Sequence, residues 1–505
     1  MIKHHRPSRT QDVADICFVL EGTYPYVRGG VSSWTHEMIA THSDLTFHLI
    51  CLLPGTEQPK MNYNLPPNVL SITDVFLGDI PSVRSSPSRN VMEILRPAMT
   101  RMAHDDAHFE DFFSLVETLT THRKHLDADY LLNSRDAWEC LEQMYHEGYD
   151  GTSMLDYFWS WRALFGGIFS ILLAPLPEAK VYHTLCTGYA GLLAARAKIE
   201  KKRPVLVTEH GIYTNERRVE ISSADWLGET AVTQLTIDTL HASLRDFWMQ
   251  TFASASRMCY AACDQIITLY AGNQKAQLLD GAHQDKMSII PNGVDVARFS
   301  TIHPVQHETP TIAMIGRVVP IKDVKNFIMA CAAIRDALGD LKVYILGAMD
   351  EDIEYVEECK MLVQHLLLEQ IVEFTGSVMI DDYLPKIDVV VFTSVSEAQP
   401  LVILEAGASG IPIVSTDVGA CSEMIHGATD EQPMIGSGGE IVPLANPTAV
   451  AHAVLRLLTD PAYYQSCADN IRKRVYRYYT KDQQKKAYAD LYDHYIQLSE
   501  RKEVA

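Results

Sequence analysis

Short apolar, β-branched runs alternate with amphipathic stretches along most of the chain. From Asp15 the run ICFVL ends in the loop EGTYPYVRGG, the stretch VSSWTHEMIATH reads as a helix, and FHLICLL reads as a second strand. KVYHTL, the helix GYAGLLAARAKIEKK, PVLVTEHG, a long helical region around Asp238–Ser256 and QIITLY continue the pattern. A second series begins at MSIIPNG and runs through TIAMIGR, a helix over Val324–Leu338, LKVYILG, IVEFTGS, DVVVFTS, a helix over Val402–Gly410 and IPIVSTD. Strands alternating with helices predict parallel sheets with right-handed crossovers. Two such series predict an α/β fold of two facing, doubly wound, Rossmann-like domains, with ligands in the cleft beyond the carboxyl ends of the strands.

The expected division is an N-terminal domain over 1–285, a C-terminal domain over 286–475, and a helix over 476–505 that packs back toward the N-terminal domain. The segment from about 81 to 157 breaks the alternation and reads as a helical, largely solvated insertion. Residues 101–160 hold 13 acidic and 4 basic side chains, a large share of the formal charge of −21 carried by the 505 residues. Such an excess disfavours nucleic acid as a partner, and an anionic ligand must then be met by a few placed cations or helix N-termini. Ten cysteines without metal-ligand spacing read as reduced thiols, with Cys51, Cys186 and Cys331 as packing residues. The start MIKHHRPSRTQDVAD lacks an apolar leader segment, and the run Ala163–Leu176 is too short to cross a bilayer, so it reads as a buried helix and the chain as cytoplasmic. The cationic tracts RKR and KK near the C-terminus read as a solvated basic face.

Three loops carry candidate chemistry. Gly29 and Gly30 open the helix after the first strand, where a bare backbone and free N–H groups suit an anion. The loop is neither GxGxxG nor a Walker sequence, which weakens nicotinamide and ATP readings. In the second series Gly316-Arg317 end a strand and Lys322 opens the next helix, two cations able to neutralise a diphosphate. After DVVVFTS, Glu397 lies in a loop and Glu405 in the following helix, with Pro400 near its start. The N–H groups of Gln399, Leu401 and Val402 would face an anion there, and the two carboxylates would accept hydrogen bonds from sugar hydroxyls.

With these residues in hand, the sequence resembles retaining glycosyltransferases of family 4, whose fold (GT-B) pairs two Rossmann-like domains. The family marker E-x7-E corresponds to Glu397 and Glu405. TEHG at Thr208–Gly211, IIPNGVD at Ile289–Asp295, GR…K at Gly316, Arg317 and Lys322, FTGSV at Phe374–Val378 and EAGASGIPIV follow in the family's order. More narrowly, EGTYPYVRGGVSSW, the long insertion and TEHGIYTNER are similar to the soluble glycosyltransferases of bacterial Pel-type exopolysaccharide systems. The resemblance implies a UDP-sugar donor, a growing polysaccharide acceptor and inner-membrane protein partners that recruit the chain peripherally. It implies that Glu405 binds ribose hydroxyls, Glu397 and His210 the donor sugar, and Arg317 and Lys322 the diphosphate, aided by N–H groups of Gly30 and Leu401. Ser377 and Val378 would meet the uracil edge through main chain. No cofactor and no metal are expected, since no DxD motif ends a strand. Two departures stand out: Asp323 replaces the usual glycine after the lysine, and Ala398-Gln399-Pro400 replaces Gly-Phe-Gly after the first acid. A UDP-sugar epimerase of the same fold and a non-catalytic UDP-binding scaffold are the alternatives.

Overall fold

The burial of whole β-branched runs explains the two sheets: all of FHLICLL and all of TIAMI are buried, as strands covered by helices on both faces require. A computed structural model describes residues 13–57, 59–83, 87, 90–222, 242–302, 305 and 308–504. Residues 1–12, on which the leader reading rests, and residues 238–241 of the expected helical region lie outside the described residues.

The chain divides into two units: unit 1 comprises Met1–Thr268, Gln274–Ser288 and Tyr488–Ala505, and unit 2 comprises Leu269–Asn273 and Ile289–Ala487. The first sheet contains β1 (Ala14–Glu21), β2 (Phe47–Leu53), β3 (Val69–Phe76), β4 (Ala179–Thr184), β5 (Val205–Glu209), β6 (Gln265–Thr268) and β7 (Met287–Ile289) in the order β3-β2-β1-β4-β5-β6-β7. The second contains β8 (Thr311–Ile315), β9 (Lys342–Leu346), β10 (Val372–Gly376), β11 (Val389–Phe392), β12 (Ile413–Thr416) and β13 (Gly439–Val442) in the order β10-β9-β8-β11-β12-β13. Pairings throughout the second sheet, and among β1 to β6 of the first, are parallel. Both sheets therefore reverse strand order beside their first strand, between β1 and β4 and between β8 and β11, the crevice where doubly wound sheets bind ligands.

Four expectations need correction. MSIIPNG does not open the second series: its strand, β7, closes the first sheet at an edge. The insertion is helical but not largely solvated. Its helices Val91–Ala103, Phe109–His122 and Arg135–His146, together with Met154–Leu173, bury Leu95, Met99, Phe112, Leu115, Leu141 and Met144 in the same core as Val19 and Ile50. Its acids, among them Glu110, Glu117 and Glu142, occupy the outer faces, so charge content alone overstated exposure. The run Ala163–Leu176 enters this core as the buried end of Met154–Leu173. The RKR tract is not one solvated face, because Arg474 is 0% exposed and pairs with Glu431 at 2.7 Å.

The tail is likewise broken in two. Pro461–Tyr478 ends where Val294 N–H donates to the Tyr479 carbonyl at 2.8 Å and Lys481 N–H donates to Val294 at 3.0 Å, and a new helix spans Lys481–Val504. Gly293 is required at this crossing, since a Cβ there would lie 2.5 Å from the Thr480 carbonyl oxygen. Within unit 1, Tyr488 and Tyr492 of the last helix are fully buried, and the Tyr492 hydroxyl meets His183 Nδ1 at 2.9 Å.

Candidate functional site

In unit 2 the loops leaving β8 and β11 lie on either side of the strand-order reversal. Gly316-Arg317 leave β8, and Lys322 ends the short turn Pro320–Lys322 before the helix Val324–Leu338. Glu397 lies in the loop after β11, and Pro400 caps the helix Leu401–Ala408 without any side-chain cap, leaving first-turn N–H groups for a ligand. The two loops are tied together. The Thr393 hydroxyl donates to the carbonyls of Lys322 and Asp323, both at 3.0 Å, and Val395 N–H donates to the Ile321 carbonyl at 2.9 Å. The result is direct contact between the Lys322 ammonium and the Glu397 carboxylate, 15% and 22% exposed, with the ammonium also 5.2 Å from the Phe392 ring centroid.

Arg317 turns the other way and pairs with Glu351 at 2.6 Å. Both are more than half exposed, at 55% and 53%, so the pair is weakly held. Asp323, the replacement for glycine, has φ +47°, a left-handed conformation in which glycine is at ease and Asp is among the better-tolerated side chains. Gln399 has its carboxamide oxygen 2.6 Å from the Asn292 N–H, which fixes the loop before the helix. Gly419 supports that loop from below. Its φ is +53°, and a Cβ would fall 2.1 Å from the Glu397 carbonyl oxygen.

Glu405 is half-buried, and no side chain or N–H hydrogen-bonds its carboxylate among the described residues. Burial pushes its pKa up to about 7, reinforced by Asp381 and opposed by Arg298 and Lys481. Arg298 is itself held by Asp381, with Nε donating to the carboxylate at 2.8 Å. A half-buried acid with unused acceptor capacity is the kind of perturbed group that marks functional sites. Ser377 and Val378 are exposed just past β10, after Gly376 at φ +69°.

Gly29, Gly30 and His210 belong to unit 1. The helix Gly30–Thr41 has no side-chain cap, and a Cβ on Gly29 or Gly30 would meet nothing within 4 Å, so its N-terminus is open. Trp34 of this helix packs edge-on against His210 with ring centroids 4.9 Å apart, bringing the glycine loop and the loop after β5 together. Burial lowers the His210 pKa to about 4, and its Nε2 is shielded without a partner among the described residues, so the ring is neutral at physiological pH. At the strand-order reversal of this sheet stands Glu21. It accepts from Ala190 N–H at 3.1 Å, from the Tyr213 hydroxyl at 3.0 Å and from Cys186 Sγ at 3.3 Å.

Sequence reasoning did not single out Glu21, Glu351, Arg298 or Asp381. Glu21 had a legible signal, the last residue of the first strand before a glycine. The others are remote in sequence from the groups they meet, and no local pattern marks them.

Comparison with known proteins bears on the same two halves. Residues 14–285, more than half of the chain, match the model of a domain of unknown function, DUF3492. The chain belongs to the DUF3492 family. Residues 309–460 of this DUF3492 protein match the model of glycosyl transferases group 1. It is 28% identical, over 46% of its length, to an uncharacterized glycosyltransferase of Methanocaldococcus jannaschii, and 25% identical, over 58%, to an MMP alpha-(1->4)-mannosyltransferase of Mycolicibacterium hassiacum. It spans 60% and 65% of the lengths of these two relatives. Among solved structures, HepE of Anabaena in complex with UDP aligns with a TM-score of 0.59 at 14% identity, covering 95% of this chain and 99% of that one. Sucrose-phosphate synthase of Thermosynechococcus elongatus aligns at 0.56 with 15% identity, covering 95% and 98%. These likenesses establish the fold of the DUF3492 protein as GT-B, two parallel-sheet α/β units.

Proposed function

We propose that this DUF3492 protein is a retaining glycosyltransferase that moves a hexose or hexosamine from a UDP-sugar to a growing exopolysaccharide of the Pel type. The observation that carries the reading is the convergence, at the strand-order reversal of unit 2, of Lys322 with Glu397 on loops that also bear Arg317 and lead into the helix of Glu405, whose carboxylate has no hydrogen-bond partner among the described residues. The match to glycosyl transferases group 1 over the same residues supports it.

In this reading, a diphosphate draws Lys322 from Glu397 and Arg317 from Glu351, since two phosphoryl groups offer these cations more charge than one carboxylate does. First-turn N–H groups of Leu401 and Val402 and the Gln399 segment add dipoles without charge. Glu405 accepts from ribose hydroxyls, and Glu397, released from Lys322, accepts from the donor sugar. Ser377 and Val378 meet the base through main chain. The bond from the anomeric carbon to the β-phosphate oxygen breaks while the acceptor hydroxyl attacks from the same face. Its proton passes to that phosphate oxygen, and Arg317 and Lys322 stabilise the charge that develops on UDP. No carboxylate forms a covalent bond, and no metal enters the reading. The polymer acceptor and protein partners at the inner membrane follow from the resemblance of the first loop and TEHGIYTNER to Pel-type enzymes. Among the described residues no helix is long and apolar enough to cross a membrane.

The test is incubation of the purified protein with a panel of UDP-sugars, with and without oligosaccharide acceptors, and reading of the product by NMR. Transfer with an unchanged anomeric configuration is expected. A new UDP-sugar formed without acceptor, or an inverted anomer, would overturn the reading.

A further inference from the structure

Unit 2 carries a second cationic site, away from the loops already described. An open groove of about 620 Å³ is lined by Pro433, Met434, Ile435, Arg472, Lys473, Tyr476 and Arg477. Its floor is one face of the helix Pro461–Tyr478, and its wall is the loop that precedes β13. That loop enters β13 at its amino end, whereas Arg317, Lys322 and Glu397 follow the carboxyl ends of β8 and β11 in the same parallel sheet. The groove therefore belongs to the other end of the strands.

Three cations and no acid line this groove, in a chain whose net charge is −21. The acid closest in sequence to the wall, Glu431, is committed to buried Arg474, whose Nε and Nη2 meet its two oxygens at 2.7 and 3.0 Å. Arg472, Lys473 and Arg477 form no ion pair among the described residues. Two of them are nonetheless oriented. Arg472 Nη2 donates to the Ser409 carbonyl at 2.8 Å, and Arg477 Nη2 donates to the Gln432 carbonyl at 2.8 Å. Each guanidinium thus keeps further donors for another acceptor, and the Nε of Arg472 is shielded from solvent without a partner among the described residues. Carbonyl anchors hold a guanidinium in place without an ion pair, and of the groove's cations Arg477 is the one whose charge reaches Glu431. Beside them Met434 is 78% exposed, and Tyr476 offers an aromatic face.

We infer that this groove binds a phosphate-bearing anion attached to an apolar body. Each guanidinium of the lining can match phosphoryl oxygens bidentately, Lys473 adds a point charge, and Met434, Ile435 and Tyr476 supply apolar surface in the same groove. The volume suits a headgroup or a nucleotide-sized molecule. An anionic phospholipid at a bilayer surface and a free phosphorylated metabolite present the same chemistry, and binding assays separate the two.

The test uses the full chain carrying Arg317→Ala and Lys322→Ala, which removes the other cation pair, so its outcome is independent of the proposed sugar transfer. This protein is titrated with pyrophosphate by calorimetry and sedimented with phosphatidylglycerol vesicles, against vesicles of phosphatidylcholine alone. Binding to pyrophosphate, to the anionic vesicles or to both is expected. It weakens more than about tenfold when exposed Lys473 and Arg477 are changed to Gln, with a steep fall at raised salt. Arg472→Gln, checked for an unchanged thermal midpoint, gives the same loss. Pyrophosphate binding without vesicle binding assigns a soluble ligand, and the converse assigns a lipid headgroup. The inference is overturned if neither probe binds, or if Lys473→Gln with Arg477→Gln leaves binding unchanged.

Discussion

The two units present the same strand order at their reversal points and arm it oppositely. In unit 2 the loops after β8, β9 and β11 carry charges that neutralise one another, Lys322 after β8 on Glu397 after β11, and Arg317 after β8 on Glu351 after β9. In unit 1 the equivalent position carries Glu21, saturated by an N–H, a hydroxyl and a thiol, and a neutral His210 against Trp34. Unit 2 thus places opposed full charges at its reversal point, whereas unit 1 gathers neutral donors around a single carboxylate. The shared topology dictates where these loops lie, and their residues dictate the charge each one carries.

That contrast can be broken most severely on the cationic side. Changing Arg317 and Lys322 together to Ala should lower sugar transfer by at least about 10³-fold, measured as kcat/KM for the donor. Glu397→Ala should cut kcat by about 10²-fold while UDP affinity, read by calorimetry, stays within a few-fold, as expected if that acid meets the sugar and not the nucleotide. On the other side, Glu21→Ala leaves the Ala190 N–H and the buried Tyr213 hydroxyl without their acceptor. It should cost about 1–3 kcal/mol in chemical denaturation and leave UDP binding untouched. If Glu21→Ala abolished UDP binding, the reading of Glu21 as a structural acceptor would fail.

The smallest effect is a pH dependence. The Glu405 pKa rises from an ordinary value of 4.5 to about 7 on folding, so the folded chain holds an extra proton between those limits. Stability from this group is full below pH 4.5 and is lost as pH rises toward 7. Glu405→Gln should therefore raise the thermal midpoint at pH 8 relative to the parent chain and make no difference at pH 4. An equal effect at both pH values would contradict the burial of an unpartnered carboxyl.

Legibility in the sequence followed burial. Strands at the sheet centres, such as β1, β8 and β11, are unbroken apolar runs and were readable from periodicity. Three of the four edge strands were missed or placed in the wrong series: β3 (VLSITDVF), β13 (GEIV) and β7 (MSI). β3 is eight residues long but only Thr73 and Val75 of it are buried, and β7 and β13 have three and four residues, so in each the apolar signal is diluted. The insertion misled because acids crowd its outer faces while Leu95, Phe112 and Met144 go inward. At the site, the residues on strand-to-helix loops were visible as motifs. Their partners were not, since Arg317 meets Glu351 and Gln399 meets Asn292 only through the fold. Asp323 looked anomalous in place of glycine until its left-handed backbone accounted for both residues.

In the proposed reaction Arg317 and Lys322 hold the diphosphate of a UDP-sugar. Calorimetric titration of UDP, GDP and ADP into the parent chain and into Arg317→Ala, Lys322→Ala tests it directly. The account predicts binding of UDP in preference to GDP and ADP by the parent chain, and weakening by more than about 100-fold in the double variant, whose thermal midpoint stays close to that of the parent. UDP affinity unchanged by the double substitution, or equal affinity for all three nucleotides, would contradict it.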